Sequence, residues 1–132
     1  MTDRRASCQC GALTAVARGE PVRISVCHCL DCKKRSGSAF AYGATYPEEQ
    51  VEANGPANTF RRIGDEGFWG EFSFCPDCGS TVTYRIERRP FMVTVPVGAF
   101  ADPGFPEPTV SVYGKRRHKW CVLATEGPVA EF

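Results

Sequence analysis

Seven of the eight cysteines fall into three short groups: Cys8-Gln9-Cys10, Cys27-His28-Cys29-Leu30-Asp31-Cys32 and Cys75-Pro76-Asp77-Cys78. Thiolates at this density hold soft metals, selecting zinc or iron–sulfur over magnesium or calcium. The first and last groups are two close pairs far apart in sequence. Brought together by a fold, Cys8, Cys10, Cys75 and Cys78 supply the tetrahedron that zinc prefers. In the C-P-x-C-G turn the backbone wraps the metal, and Gly79 permits the left-handed backbone this requires. A disulfide between Cys8 and Cys10 would close a small, strained ring. Structural zinc contributes roughly 10–16 kcal/mol of apparent binding energy. Whole-domain stability is only about 5–15 kcal/mol, so the fold is expected to depend on this site.

The middle group puts three thiols, Cys27, Cys29 and Cys32, within six residues. Three protein ligands with a vacant fourth position is the plan of a catalytic zinc, because the vacancy admits water or substrate. The adjoining Lys33-Lys34-Arg35 run lowers thiol pKa values and attracts an anionic ligand. Two closed alternatives stand beside this one, in which His28 or Cys121 completes the shell. If residues 27–29 are extended, His28 points away from its neighbours' thiols. Cys121, within Trp120-Cys121-Val122-Leu123, reads as a buried, unreactive thiol.

The elements that must position these groups read as short strands. Thirteen Gly and ten Pro argue for many turns rather than long helices, and hence for a mainly β domain. Leu13–Ala17 and Arg23–Cys27 resemble a hairpin across Gly19-Glu20-Pro21. Residues 27–37 hold too few apolar positions for a packed element and read as a loop with at most one helical turn. Ala39–Tyr46 is extended and closed by Pro47. A strand is expected near Thr59–Arg62, and residues 68–74 alternate at strand period. Thr81–Ile86 and Phe91–Val95 form a further hairpin pattern, residues 102–108 a Pro-rich surface loop, and Thr109–Tyr113 and Trp120–Leu123 late strands.

The chain of 132 residues corresponds to one domain, 1–132. Its apolar fraction is 42 % and its formal net charge +1, with 16 basic and 15 acidic residues. No bulk field or basic stripe favours nucleic acid or anionic membrane. Met1–Ser7 is polar and charged, and no apolar run approaches a signal core or a membrane span. A cytoplasmic location is therefore expected, where eight cysteines would not persist as disulfides.

Taken together, Cys8-Gln9-Cys10-Gly11, Cys27-His28-Cys29-Leu30-Asp31-Cys32 with Ser36-Gly37, and Phe74-Cys75-Pro76-Asp77-Cys78-Gly79-Ser80 resemble the glutathione-dependent formaldehyde-activating enzyme family, also named for centromere protein V. The resemblance runs from about residue 8 to residue 120. It implies a single domain of several small coiled antiparallel sheets around a structural zinc site. It implies two zincs per chain: a structural one on Cys8, Cys10, Cys75 and Cys78, and a labile catalytic one on Cys27, Cys29 and Cys32. The catalytic zinc would receive the glutathione thiol, and the named reaction joins glutathione and formaldehyde to S-(hydroxymethyl)glutathione, counted as carbon–sulfur lyase chemistry in reverse. Glutathione carries two carboxylates, which basic side chains would fix. The candidates are Lys33, Lys34 and Arg35, then Arg61 and Arg62, with Arg116 and Arg117 further off. Beside this enzyme stands a second reading, a non-catalytic zinc module that binds a partner protein and has a closed second site. The roles of His28, His118 and Cys121, and the oligomeric state, are open at this level.

Overall fold

A computed structural model describes residues 2–132. It contains eleven strands: β1 (Asp3–Ser7), β2 (Thr14–Arg18), β3 (Arg23–Cys27), β4 (Ala41–Pro47), β5 (Val51–Asn54), β6 (Asn58–Ile63), β7 (Trp69–Phe74), β8 (Thr81–Ile86), β9 (Met92–Pro96), β10 (Val110–Val112) and β11 (Ala130–Glu131). One α-helix, α1 (Leu30–Ser36), follows β3. The mainly β expectation holds.

The strands form two sheets. The smaller has the order β1-β2-β5, and the larger β11-β10-β3-β4-β9-β8-β7-β6. From β3 to β6 the larger sheet is antiparallel, while β10 lies parallel to both β3 and β11. Ala6, Ala15 and Ala17 from the first sheet, with Leu13 just before β2, meet Ala44, Tyr46, Val82 and Val95 from the second in one buried core. The alanines let the two sheets approach closely, and Phe100 and Phe105 fill one end. β4 is central and buried along most of its length, as expected of a strand covered on both faces.

Several expectations are corrected. The strands around Gly19-Glu20-Pro21 exist but do not pair: β2 joins β1 and β5, whereas β3 joins β4 and β10. The turn carries the chain from one sheet to the other, anchored by an Arg4–Glu20 ion pair at 2.9 Å and the bond from Gly19 N–H to Thr2 O. Residues 30–36 form two turns of helix rather than a loop, held by its caps instead of by an apolar face. Residues 120–123 form no strand, and the late partner of β10 is β11. The 102–108 loop is irregular as expected, but it is pinned by buried Phe105 and by the Tyr42 hydroxyl donating to Pro106 O.

Candidate metal centres

The first centre is assembled from two turns. Cys8 and Cys10 lie in the turn between β1 and β2, and Cys75 and Cys78 in the turn between β7 and β8. A register shift at Ser73/Phe74 ends the β7–β8 ladder just before Cys75. Gly79, with φ 81°, donates its N–H to Cys75 O at 2.8 Å. The four sulfurs all lie within 4.8 Å of one another, with Cys8–Cys10 at 3.7 Å and Cys10–Cys75 at 3.6 Å. The Leu13 N–H donates to Cys8 Sγ at 3.2 Å, and Ser80 Oγ lies 3.5 Å from Cys78 Sγ.

These donors favour thiolate, but the sulfurs also repel one another as charges. Ser80, through its hydroxyl and its amide, brings Cys78 down to about 5. Burial opposes ionisation of Cys8, yet the Leu13 amide and the Cys10 thiol hold it below the usual value. Cys10 is favoured as thiolate by the Ala12 amide but is pushed up to about 12 by its sulfur neighbours, Cys75 first. Four converging sulfurs that cannot all ionise alone are matched to a cation, and the set fits a closed tetrahedral metal site.

The second centre is local. Cys27 ends β3, Cys29 is the N-cap of α1, and Cys32 lies one turn into it. Their sulfurs lie within 4.8 Å of one another. The Cys32 N–H donates to Cys29 Sγ at 3.2 Å, so the side chain that caps the helix is also a candidate ligand. Gly37 closes α1 in the left-handed conformation (φ 65°) with its N–H on Lys33 O, a position that suits glycine. The three thiols share charge unequally. Cys27 is pushed up by its contacts with Cys29 and Cys32 and by burial. Cys32 is brought down to about 2 by bonds from Cys27 and Cys29, burial opposing, with help from Arg62.

Neither residue considered as a fourth ligand joins this cluster. His28 is fully buried, packs on Phe40 at 5.7 Å between ring centroids, and burial lowers its pKa. Cys121 is buried and also lies outside both groups of converging sulfurs among the described residues. His118 stacks on Trp120 at 5.5 Å.

The basic residues expected near the second centre separate into two sets. Lys33 donates to Arg116 O and Lys34 is exposed. Arg61 pairs with Glu71 at 3.2 Å, and Arg117 with Glu131 at 2.8 Å and Ser111 Oγ at 3.1 Å. Only Arg35 and Arg62 turn towards the cysteines' surroundings. Arg62 Nη2 donates to Cys32 Sγ at 3.5 Å and its guanidinium lies 4.7 Å from the Phe72 ring. Arg35 lies 5.1 Å from the rings of both Phe72 and Tyr84. Phe72 and Tyr84 are cross-strand partners in β7 and β8, their centroids 5.1 Å apart. Burial raises the Tyr84 pKa, so its hydroxyl stays neutral. Sequence reasoning took Phe72 as one more alternating apolar position and passed over Tyr84. Strand period puts both on the face that carries Arg62, and that was the available signal. Arg62 also lines a cavity of about 140 Å³ with Phe68, Trp69 and Tyr113.

All eight cysteines are free, and among the described residues no helix is long and apolar enough to cross a membrane. A family model described as "Glutathione-dependent formaldehyde-activating enzyme" matches residues 3–116. The fold is similar to that of a Rhodobacter sphaeroides protein of known crystal structure, with TM-score 0.58 and 19 % identity, covering 77 % of this chain and 90 % of that one. No curated protein matches the chain.

Proposed function

The chain belongs to the glutathione-dependent formaldehyde-activating enzyme family, and from that premise we propose that it joins glutathione and formaldehyde to S-(hydroxymethyl)glutathione at Cys27, Cys29 and Cys32. Membership supports an activity on glutathione and formaldehyde in general. The finer reading rests on one observation: three sulfurs converge at the β3–α1 junction while His28 and Cys121 lie elsewhere.

In this reading Cys27, Cys29 and Cys32 bind a zinc ion, and the N–H of Cys32 orients Cys29 as it caps the helix. A zinc ion held there would lower the pKa of an incoming thiol, so that a thiolate nucleophile would be available at neutral pH. The thiol sulfur forms a bond to the formaldehyde carbon. The carbonyl electron pair moves to oxygen, which takes a proton from solvent. Cys8, Cys10, Cys75 and Cys78 would hold a second zinc with a structural role, the four sulfurs supplying all of its ligands. The eight free thiols suit a reducing compartment such as the cytoplasm.

Cobalt substitution tests this. Glutathione should add sulfur-to-metal charge-transfer absorption at the three-cysteine site, and S-methyl glutathione, which cannot form a thiolate, should leave that band unchanged. Equal responses to both, or to neither, would remove thiol activation from the reading.

A further inference from the structure

Arg35 and Arg62 are the two arginines that share one aromatic ring, Phe72, beside the three-cysteine cluster. Like Arg5, Arg23, Arg89 and Arg116, they form no ion pair among the described residues. Arg4, Arg18, Arg61, Arg85, Arg88 and Arg117 each pair with a carboxylate. Arg35 and Arg62 have no such partner among the described residues, although both are half-buried. Both lie against the ring of Phe72, which is only 3 % exposed. Two like charges on one aromatic ring repel, and cation–π attraction offsets this by only about 0.5–2 kcal/mol each. A guanidinium carries five N–H donors. Arg62 uses one, on Cys32; Arg35 makes no hydrogen bond among the described residues, and its Nε is buried without a partner.

The geometry that gathers them comes from two elements. Cys32 and Arg35 are three apart on α1 and so share a helix face. Arg62, Phe72 and Tyr84 share a face of β6–β8. The nearby acids are engaged elsewhere or unpaired with either arginine. Glu66 takes Arg88 at 3.0 Å, Glu71 takes Arg61, and neither Asp31 nor Asp65 forms an ion pair among the described residues.

We propose that Arg35 and Arg62 form a carboxylate cradle beside Cys32, which makes the three-cysteine site selective for thiols that carry a carboxylate. This rests on the reading that a thiol enters that site. Charge balance on the sulfurs alone does not account for both arginines. Three thiolates around a divalent cation leave one negative charge, and Arg62, in contact with Cys32, already balances it. Arg35 touches no sulfur and is the surplus cation. Planar guanidiniums recognise carboxylates through paired N–H bonds, and the aromatic wall of Phe72 and Tyr84 fixes both forks in place.

The test uses the cobalt-substituted full chain and three thiols of equal length: 3-mercaptopropionate, 3-mercapto-1-propanol and 3-aminopropanethiol. The charge-transfer band reports binding of each. The carboxylate thiol should bind about tenfold or more tightly than the alcohol, and the amine most weakly. In Arg35→Gln and in the double variant with Arg62→Gln the ratio of acid to alcohol affinity should shrink towards parity. Lysine at either position keeps the charge without the fork, and should restore only part of the preference. Equal binding of the acid and the alcohol by the parent protein overturns the cradle while leaving thiol activation standing. So does a preference that survives in the double variant. If no thiol alters the band, the reading of the site as thiol-binding fails and the cradle falls with it. Metal loss from Arg62→Gln with unchanged selectivity in Arg35→Gln would assign Arg62 to Cys32 alone and overturn the proposal.

Discussion

The hydroxyl of Tyr84 lies where a side chain on Gly43 would begin: a Cβ there would stand 2.8 Å from Tyr84 Oη and 2.8 Å from Thr94 Cγ2. Gly43 is in the central strand β4, so its missing side chain gives β8 room to lean its tyrosine towards the second centre. Gly43→Ala should destabilise the protein by about 1–3 kcal/mol through overpacking. Tyr84→Phe in the same chain should recover part of that loss, since it removes one of the two clashing atoms. Denaturant melts of the single and double variants check both numbers, and a Gly43→Ala protein as stable as the parent would contradict this packing.

The two centres should differ in what they hold together. Cys78→Ser removes one of the four candidate ligands that bring the β1–β2 turn to the β7–β8 turn, a closure of 65 positions between Cys10 and Cys75. It should reduce stability by roughly 4 kcal/mol or more, or abolish soluble protein. Cys29→Ser removes a candidate ligand whose partners, Cys27 and Cys32, lie within three residues of it. Serine is itself a good N-cap, so α1 should survive with a loss of about 1 kcal/mol or less. Metal content and thermal melts measured together separate the cases: one metal lost with the fold kept, against a fold lost. Equal destabilisation would make both centres structural.

Arg117 provides a control for substrate contacts. It bonds buried Ser111 and pairs with Glu131 of β11, so Arg117→Ala should loosen the C-terminal strand and lower stability by about 1 kcal/mol. Its effect on glutathione affinity should be nil, which calorimetric titration can establish. Weakened binding would return Arg117 to the ligand contacts.

Acid should release the chain's last turn from the 102–108 loop. The Glu107 carboxylate accepts the N–H groups of Gly127 at 2.8 Å and Glu126 at 3.1 Å, and these bonds lower its pKa, Gly127 first. A carboxyl depressed on folding contributes stability fully present above its unfolded value of about 4.3, lost as pH falls through the folded value. The protection of the Glu126 and Gly127 amides, measured relative to their intrinsic exchange rate at each pH, should therefore fall below that range, and Glu107→Gln should show the lower protection already at neutral pH.

Both cysteine centres are legible from spacing because thiolate chemistry depends on which residues are present and how close they are. The pairing of strands is less legible. Gly19-Glu20-Pro21 carries every local sign of a hairpin turn, yet its ties run to Arg4 of β1 and to Thr2 just before that strand. β1 itself escapes notice because Ala6 is its only buried side chain. The helix α1 has no buried residue at all, so no apolar period announces it; its N-cap sulfur and its C-terminal glycine were the signal. The basic residues are the hardest case. Lys33 and Arg35 sit two apart on the same helix, and only the β6–β8 face decides that one of them meets Phe72 and Tyr84.

The order of the cysteines along the chain also matters for biosynthesis. Cys27, Cys29 and Cys32 emerge from the ribosome together, although the strand that ends in Cys27 pairs with β4 and β10, which follow later. Cys8 and Cys10 appear first of all but wait for Cys75 and Cys78. At about 5–20 residues per second that wait is on the order of seconds. During it, five nascent thiols are exposed, and the three-cysteine group is the first that could gather around a metal ion. The closed centre is thus completed last, by the same β7–β8 hairpin that brings Phe72 and Tyr84 to Arg35. One hairpin thus sets both the turn that brings Cys75 and Cys78 to the first centre and the aromatic face beside the second.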